Sequence, residues 1–253
     1  MNLSELGKPF KAPEPCVLVI FGATGDLTSR KLLPALYNLE REKLLPAEFA
    51  CVGFARREKD DAQFRNEMKE AVNSFSRVKP VEEGIWNQFS ERLHYHISEF
   101  HDDAGYQSLK ALLESLDQKN GTKGNRVFYL STPPSYFPLI VEKLSKNGLL
   151  YDAATTHDKW SRVIIEKPFG EDLKSAISLQ KELTHYLDES QIYRIDHYLG
   201  KETVQNLLVF RFSNPVFEFL FNNHNIDNVQ ITVCEEIGIG TRGKFFEEPI
   251  ANL

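Results

Sequence analysis

Several features are scarce in this sequence, and each scarcity excludes something. Only three of the 253 residues are cysteine: Cys16, Cys51 and Cys234. They stand singly inside apolar runs, as small buried residues do. An odd, scattered set argues for a reducing compartment and against a disulfide framework. No apolar run reaches about 18 residues, so no membrane-spanning helix is expected. The first residues, Met-Asn-Leu-Ser-Glu-Leu-Gly-Lys, carry no apolar stretch or cleavage pattern, so no signal peptide is expected either. A basic excess is also missing. The chain has 30 Lys and Arg against 36 Asp and Glu, a net charge of -6, whereas general nucleic-acid binding wants a positive field. There is no internal repeat and no low-complexity segment. The expectation is a cytoplasmic protein without a nucleic-acid partner, a membrane partner or a metal.

What is present is a soluble, globular balance, 42% hydrophobic and 26% charged. Residues 16–21 form a continuous apolar run, the pattern of a strand buried on both faces. Helical spacing follows, with Leu32, Leu36 and Leu39 on one face. Pro34 falls inside it and should kink the helix or start a second segment. A second apolar run covers 49–55. Asp60-Asp61 is a plausible N-cap for a helix with Phe64, Met68, Val72 and Phe75 in register. Further strands are expected at 93–97, 127–130, 163–165 and 192–195. Between them lie helical patterns at Tyr106, Leu109, Leu112 and Leu116, at 137–150 and at 173–187. The loop 120–124 reads as a plain surface turn.

Strands alternating with helices of this length mean βαβ units and a parallel sheet, with right-handed crossovers placing helices on both faces. The expected fold is α/β, a Rossmann-type doubly wound parallel sheet. The alternation stops near residue 198. After it come a helical stretch, 201–212, then 217–221, then an alternating strand at 229–233. The expected domains are 1–198, and 199–253 as the start of a second domain.

Two strand ends carry chemistry. Gly22-Ala-Thr-Gly25 follows the first strand, where ligands bind in open α/β sheets. Glycines there allow a sharp turn and close approach to a pyrophosphate, and the next helix offers free N–H groups. The pattern is Gly-x-x-Gly rather than the full Gly-x-Gly-x-x-Gly, so a plain βα turn is the alternative. Asp26 suits an N-cap in either case. The second strand ends in Ala55-Arg56-Arg57, with no acid to hold a ribose hydroxyl. Two arginines suit a 2′-phosphate, hence NADP; the alternative is a solvated basic pair.

Two more strand ends are charged: Glu166-Lys-Pro-Phe-Gly170 and Arg194-Ile-Asp-His-Tyr-Leu-Gly-Lys-Glu202. The second packs Asp196, His197, Tyr198 and Lys201 together. A lysine and a histidine suit a phosphate dianion, and an aspartate suits orienting a base. Together with Phe54-Ala-Arg56, Arg211-Phe-x-Asn-Pro215 and Thr241-Arg-Gly243, these motifs stand in the order and spacing of one family. The sequence resembles the glucose-6-phosphate dehydrogenases over about residues 14–248.

The resemblance implies roles residue by residue. Gly22, Ala23, Thr24, Gly25, Asp26 and Leu27 would cradle the NADP pyrophosphate, and Arg56 would bind the 2′-phosphate. Lys167 would contact both cofactor and substrate and serve catalysis with Asp196, which would orient the general base. His197, Tyr198, Lys201 and Glu235 would hold glucose 6-phosphate, His197, Tyr198 and Lys201 at its phosphate. The second domain would be α+β with a mostly antiparallel sheet that forms a homodimer. The reaction implied is oxidation of glucose 6-phosphate to 6-phosphogluconolactone with hydride transfer to NADP, the first step of the oxidative pentose phosphate pathway. The family's tyrosine after its double proline has no direct counterpart, because Phe137 stands there and Tyr136 one place earlier. The family's base is a histidine in an Asp-x-x-x-x-His helix beyond the Arg-Gly-aromatic segment. Here Arg242-Gly-Lys-Phe-Phe246 is followed by seven residues without histidine, and no histidine follows His224. The expectation is therefore a chain truncated within the second domain. The alternative to an active dehydrogenase is a non-catalytic NADP-binding remnant of one. A sugar reductase with the same βαβ start is disfavoured by the grouped Asp196, His197 and Lys201.

Overall fold

The computed structural model describes residues 13–152, 154–170, 172–196, 200–230 and 232. They divide into two compact units, one over the described residues up to Arg194 and one that includes those from Ile195 onward.

In the first unit the apolar runs become strands β1 (Cys16–Phe21), β2 (Phe49–Ala55), β3 (Leu93–Ile97), β4 (Arg126–Leu130), β5 (Ser161–Glu166) and β6 (Ile192–Ile195). Helices α1 (Leu33–Arg41), α2 (Asp61–Phe75), α3 (Glu83–Ser90), α4 (Asp103–Asn120), α5 (Phe137–Lys146) and α6 (Leu173–Thr184) intervene. The sheet order is β3-β2-β1-β4-β5-β6. The pairs β1/β2, β1/β4, β2/β3 and β4/β5 are parallel, as a doubly wound sheet requires.

Alternation along the strands divides the core in two. Val17, Val19 and Phe21 face a cluster with Tyr106, Leu109 and Leu113 of α4, Ile140 and Leu144 of α5, and Leu183 of α6. Cys16 and Ile20 face the other side, with Leu33 and Tyr37 of α1, Phe64 and Met68 of α2, and Trp86 and Phe89 of α3. Burial pushes the Cys16 thiol up to about 11 and the Cys51 thiol up to about 12, so both behave as small core residues. Cys234 lies outside the described residues.

The helix faces differ in detail from the expected stripes. Leu33, Pro34 and Tyr37 are the buried positions of α1, whereas Leu39 is exposed. A five-residue π-turn at Thr28–Leu32 precedes α1, Leu32 and Leu36 pack partly against the core, and Leu39 lies about 200° round the helix from Tyr37. Pro34 sits in the first turn of α1 and starts the second segment. At the end of α2, Phe75 is exposed with the Arg30 guanidinium over its ring at 5.3 Å. In α4 the stripe is Tyr106, Leu109, Leu113 and Leu116, a three-four-three spacing that replaces Leu112 by Leu113. Helix α3 was not expected, because one short turn pattern with Trp86 and Phe89 is too brief to show a period.

The loop 120–124 is more than a surface turn. Gly121 closes α4 in the left-handed region, and Thr122 is fully buried. The Asp117 carboxylate accepts from the Thr122 hydroxyl, from the Gly124 N–H at 3.1 Å and from the guanidinium of Arg126. Arg126 opens β4 and is itself buried.

In the second unit, α7 (Glu202–Phe212) is followed by α8 (Pro215–Leu220). The rings of Phe210 and Phe217 pack tilted at 4.1 Å between centroids, and Arg211 donates to the Phe221 carbonyl at 3.0 Å. The strand expected at 229–233 falls partly outside the described residues, and Val229 and Gln230 belong to no strand.

Candidate cofactor site

The C-terminal ends of the strands share one edge of the sheet. In register, Phe21 stands between Phe54 and Leu130, so the chain leaves β1 at the point where the strand order reverses. Gly22 makes that exit with φ +80, and a Cβ there would lie 2.3 Å from the Ser131 carbonyl oxygen. Ser131 cannot retreat freely, because its N–H donates to the Phe21 carbonyl at 3.0 Å. Only glycine fits on both counts.

The loop's N–H groups divide into two sets. Those of Gly22 and Ala23 donate to the Phe54 carbonyl at 2.9 and 3.3 Å, and that of Gly25 donates to the Gly22 carbonyl at 2.9 Å. Those of Thr24, Asp26 and Leu27 find no acceptor among the described residues. The sequence reading credited all six residues alike; the fold spends three donors on shaping the turn and leaves three at a helix N-terminus, the arrangement that suits an anion. Gly25, rather than Asp26, holds the N-cap position, since its carbonyl accepts the Ser29 N–H at 3.2 Å. The Asp26 side chain instead lies 3.8 Å from Arg30 on the surface. The glycine that lets sheet and helix pack closely comes from β2. A Cβ on Gly53 would lie 2.8 Å from both Ala23 Cβ and Phe64 Cζ.

Arg56 and Arg57 follow β2 on this same edge, both exposed, and neither has an ion pair among the described residues. Across the switch point, the buried hydroxyl oxygens of Ser131 and Thr132 have no hydrogen-bond partner among the described residues. Orphaned hydroxyls beside a glycine turn with free N–H groups fit a polar ligand such as a dinucleotide. Sequence reasoning passed over Ser131 and Thr132; their place directly after a strand at the sheet's midline was the available signal. Tyr136 is exposed nearby and packs edge-on against Phe100 at 5.3 Å, while Phe137 is buried in the core.

Lys167 is exposed immediately after β5. Glu166 before it accepts a close hydrogen bond from Tyr129 of β4. Burial and that carboxylate push the Tyr129 hydroxyl well above its usual range, so it stays a donor. Gly170 ends the segment with φ +135, and a Cβ there would lie 2.5 Å from the Ala176 nitrogen of α6. Lys167 thus stands between a residue whose side chain bonds across to β4 and a glycine packed close to α6.

In the second unit, the Gly200 N–H donates to the Asp196 carbonyl at 3.2 Å. Lys201 takes the N-cap position of α7, its carbonyl accepting from Val204 and Gln205 at 3.0 Å. His197, Tyr198 and Glu235 lie outside the described residues.

Comparison with known proteins agrees with this geometry. The family model described as "Glucose-6-phosphate dehydrogenase, NAD binding domain" matches residues 19–206, and "Glucose-6-phosphate dehydrogenase, C-terminal domain" matches 208–251. A glucose-6-phosphate 1-dehydrogenase of Chlamydia pneumoniae is 57% identical over 247 residues, 98% of this chain and 48% of the relative. That of Chlamydia muridarum is 53% identical over 98% of this chain and 49% of its own length. A solved glucose-6-phosphate dehydrogenase in complex with glucose-6-phosphate superposes with a TM-score of 0.75 at 37% identity, over 86% of this chain and 43% of that one. The chain spans about half the length of the curated relatives it matches. With one family model covering most of its residues and a second taking up where the first stops, the chain belongs to the glucose-6-phosphate dehydrogenase family.

Proposed function

We propose that the chain carries the NADP site of a glucose-6-phosphate dehydrogenase, which oxidises glucose 6-phosphate to 6-phosphogluconolactone in the cytoplasm. The observation that carries the reading is Gly22, pressed on Ser131 at the switch point, with two exposed arginines on the adjoining strand end. The N–H groups of Thr24, Asp26 and Leu27 would face the pyrophosphate, and Arg56 the 2′-phosphate. NADP, when bound, supplies the hydride acceptor. Lys167 would hold cofactor and sugar in one orientation. Lys201, as a cation at the N-cap of α7, would share the sugar phosphate with His197 and Tyr198. Glu235 would bind sugar hydroxyls, and Asp196 would orient the base. We assign residues 1–198 to the cofactor domain and 199–253 to the second, a division supported by the change of family model after residue 206.

A second reading is favoured by one fact of the sequence: no histidine follows His224. We infer that a preparation of these 253 residues alone would bind the cofactor without efficient turnover, since a positioned general base contributes about 100- to 10,000-fold. The test titrates NADP and NAD against wild type and Arg56→Ala, with NADPH absorbance followed on glucose 6-phosphate. Losing Arg56 should cost about 1.5–3 kcal/mol for NADP and little for NAD. Equal losses for both cofactors would refute the phosphate assignment. Turnover per site comparable to a full-length relative would show that another group supplies the base.

A further inference from the structure

Five residues, 56–60, join β2 to α2, and two long flexible side chains at such a loop lose much freedom on gripping one phosphate. The structure shows how the backbone beneath them is held. Tyr95 lies on β3, opposite Gly53 of β2. Its ring is buried and packs 5.1 Å from the Phe64 ring, which fixes where its hydroxyl stands. That hydroxyl donates to the Arg57 carbonyl at 2.7 Å. The Tyr95 N–H donates to Asp61 Oδ1, also at 2.7 Å. One residue therefore holds both ends of the segment that displays the arginines. The Asp61 carboxylate is itself braced by Arg65 at 3.3 Å and by His94 Nδ1 at 3.2 Å. Between the two anchors, Lys59 pairs with Glu67, and Asp60 caps α2 by accepting the Gln63 N–H at 2.7 Å. Arg57 is fixed by its backbone, Lys59 and Asp60 by their side chains, and the arginine side chains are left for solvent or a ligand.

Resting on the reading of Arg56 and Arg57 as the 2′-phosphate site, we propose that Tyr95 is a positioning residue for cofactor selection: by clamping Arg57 and Asp61 it holds the arginines where a 2′-phosphate arrives. Tyr95 itself touches no cofactor. Its effect falls on NADP alone, because NAD carries only a hydroxyl at that position. Tyr95→Phe keeps the ring and its contact with Phe64 and removes only the bond to Arg57. The loop then samples more conformations, and the arginines spend more time away from the phosphate.

The experiment titrates NADP and NAD against the 253-residue chain as wild type, Tyr95→Phe, Tyr37→Phe and Arg56→Ala, with thermal melting of each. Tyr37→Phe is the control. It also loses a buried hydroxyl, one that accepts from the Glu82 N–H at 2.9 Å on another part of the unit. Tyr95→Phe should weaken NADP about three- to tenfold and leave NAD within about twofold. Tyr37→Phe should keep the wild-type ratio of the two cofactors. Equal weakening of both cofactors by Tyr95→Phe would overturn the clamp. So would an unchanged NADP affinity in Tyr95→Phe while Arg56→Ala loses it, and the phosphate site would then stand without the clamp. Indifference of wild type to the two cofactors, with no effect of Arg56→Ala, would overturn the phosphate site and the clamp together. Should Tyr95→Phe melt below the assay temperature, Asp61→Ala, which removes the acceptor of the Tyr95 N–H, reads the other anchor. A selective NADP loss there supports the clamp, and its absence overturns it.

Discussion

Gly22 and Gly25 look alike in the sequence, yet alanine at each should fail in a different way. At Gly22 the backbone has φ +80, which costs an L-residue about 1–2 kcal/mol. The new Cβ would also lie 2.3 Å from the Ser131 carbonyl oxygen, a backbone atom pinned to β1 by the Ser131 N–H at 3.0 Å. Overpacking of that kind adds about 1–3 kcal/mol. Gly22→Ala should therefore lose about 2–5 kcal/mol of folding stability. Gly25 has no positive φ, and its nearest neighbour to a Cβ is the Gly22 carbonyl oxygen at 3.1 Å. Gly25→Ala should stay within about 1 kcal/mol of wild type. Its methyl would instead stand where the pyrophosphate approaches, and NADP affinity should fall about tenfold. Urea denaturation measures the first quantity and NADP titration the second. Gly22→Ala within 1 kcal/mol of wild type in stability, or Gly25→Ala with undiminished affinity, would refute this division of roles.

Asp117→Ala should leave the buried Arg126 charge uncompensated and cost about 3–5 kcal/mol in urea denaturation. Asp117→Leu combined with Arg126→Met should cost clearly less, because both charges then leave the interior. Burial works against the Asp117 charge, yet hydrogen bonds from Arg126 and Thr122 hold its carboxyl below the ordinary range. Its contribution should persist down to about pH 4, the unfolded value, and be lost only as pH falls through the lower folded value. His94 and His96 behave in the opposite pH region. Burial lowers both, against the pull of Asp61 on His94 and of the Gly105 carbonyl on His96. The unfolded chain takes up these protons first, so stability should decline as pH falls below about 6.5. Imidazole NMR titration should place both midpoints below that value, and a midpoint above it would contradict the burial argument.

The doubly wound sheet was legible because buried parallel strands are nearly all apolar, and runs such as 49–55 have few other readings. The family, too, was legible, since its motifs sit at strand ends in a fixed order. Helix faces were less legible. A stripe of leucines marks Leu39, whereas α1 buries Leu33, Pro34 and Tyr37 and leaves Leu39 exposed on the opposite side. The buried network at Asp117, Thr122 and Arg126 was invisible for a related reason. Its members are ordinary loop and surface types until Arg126 is drawn under the α4–β4 turn.

By itself the sequence determined where the six strands of the sheet and most of the helices between them run, where the glycine turn falls, and that two arginines rather than an acid end the second strand. These depend on local pattern and residue chemistry, which the chain carries in order. Tertiary structure alone decided which loop N–H groups remain for a ligand, because Gly22 and Ala23 donate to Phe54, just over thirty residues away in the sequence. It alone brought Ser131 against Gly22 and set the Tyr95 hydroxyl on Arg57. Contacts of that kind arise from strand order and register, and residues far apart in the chain meet only once the sheet has formed.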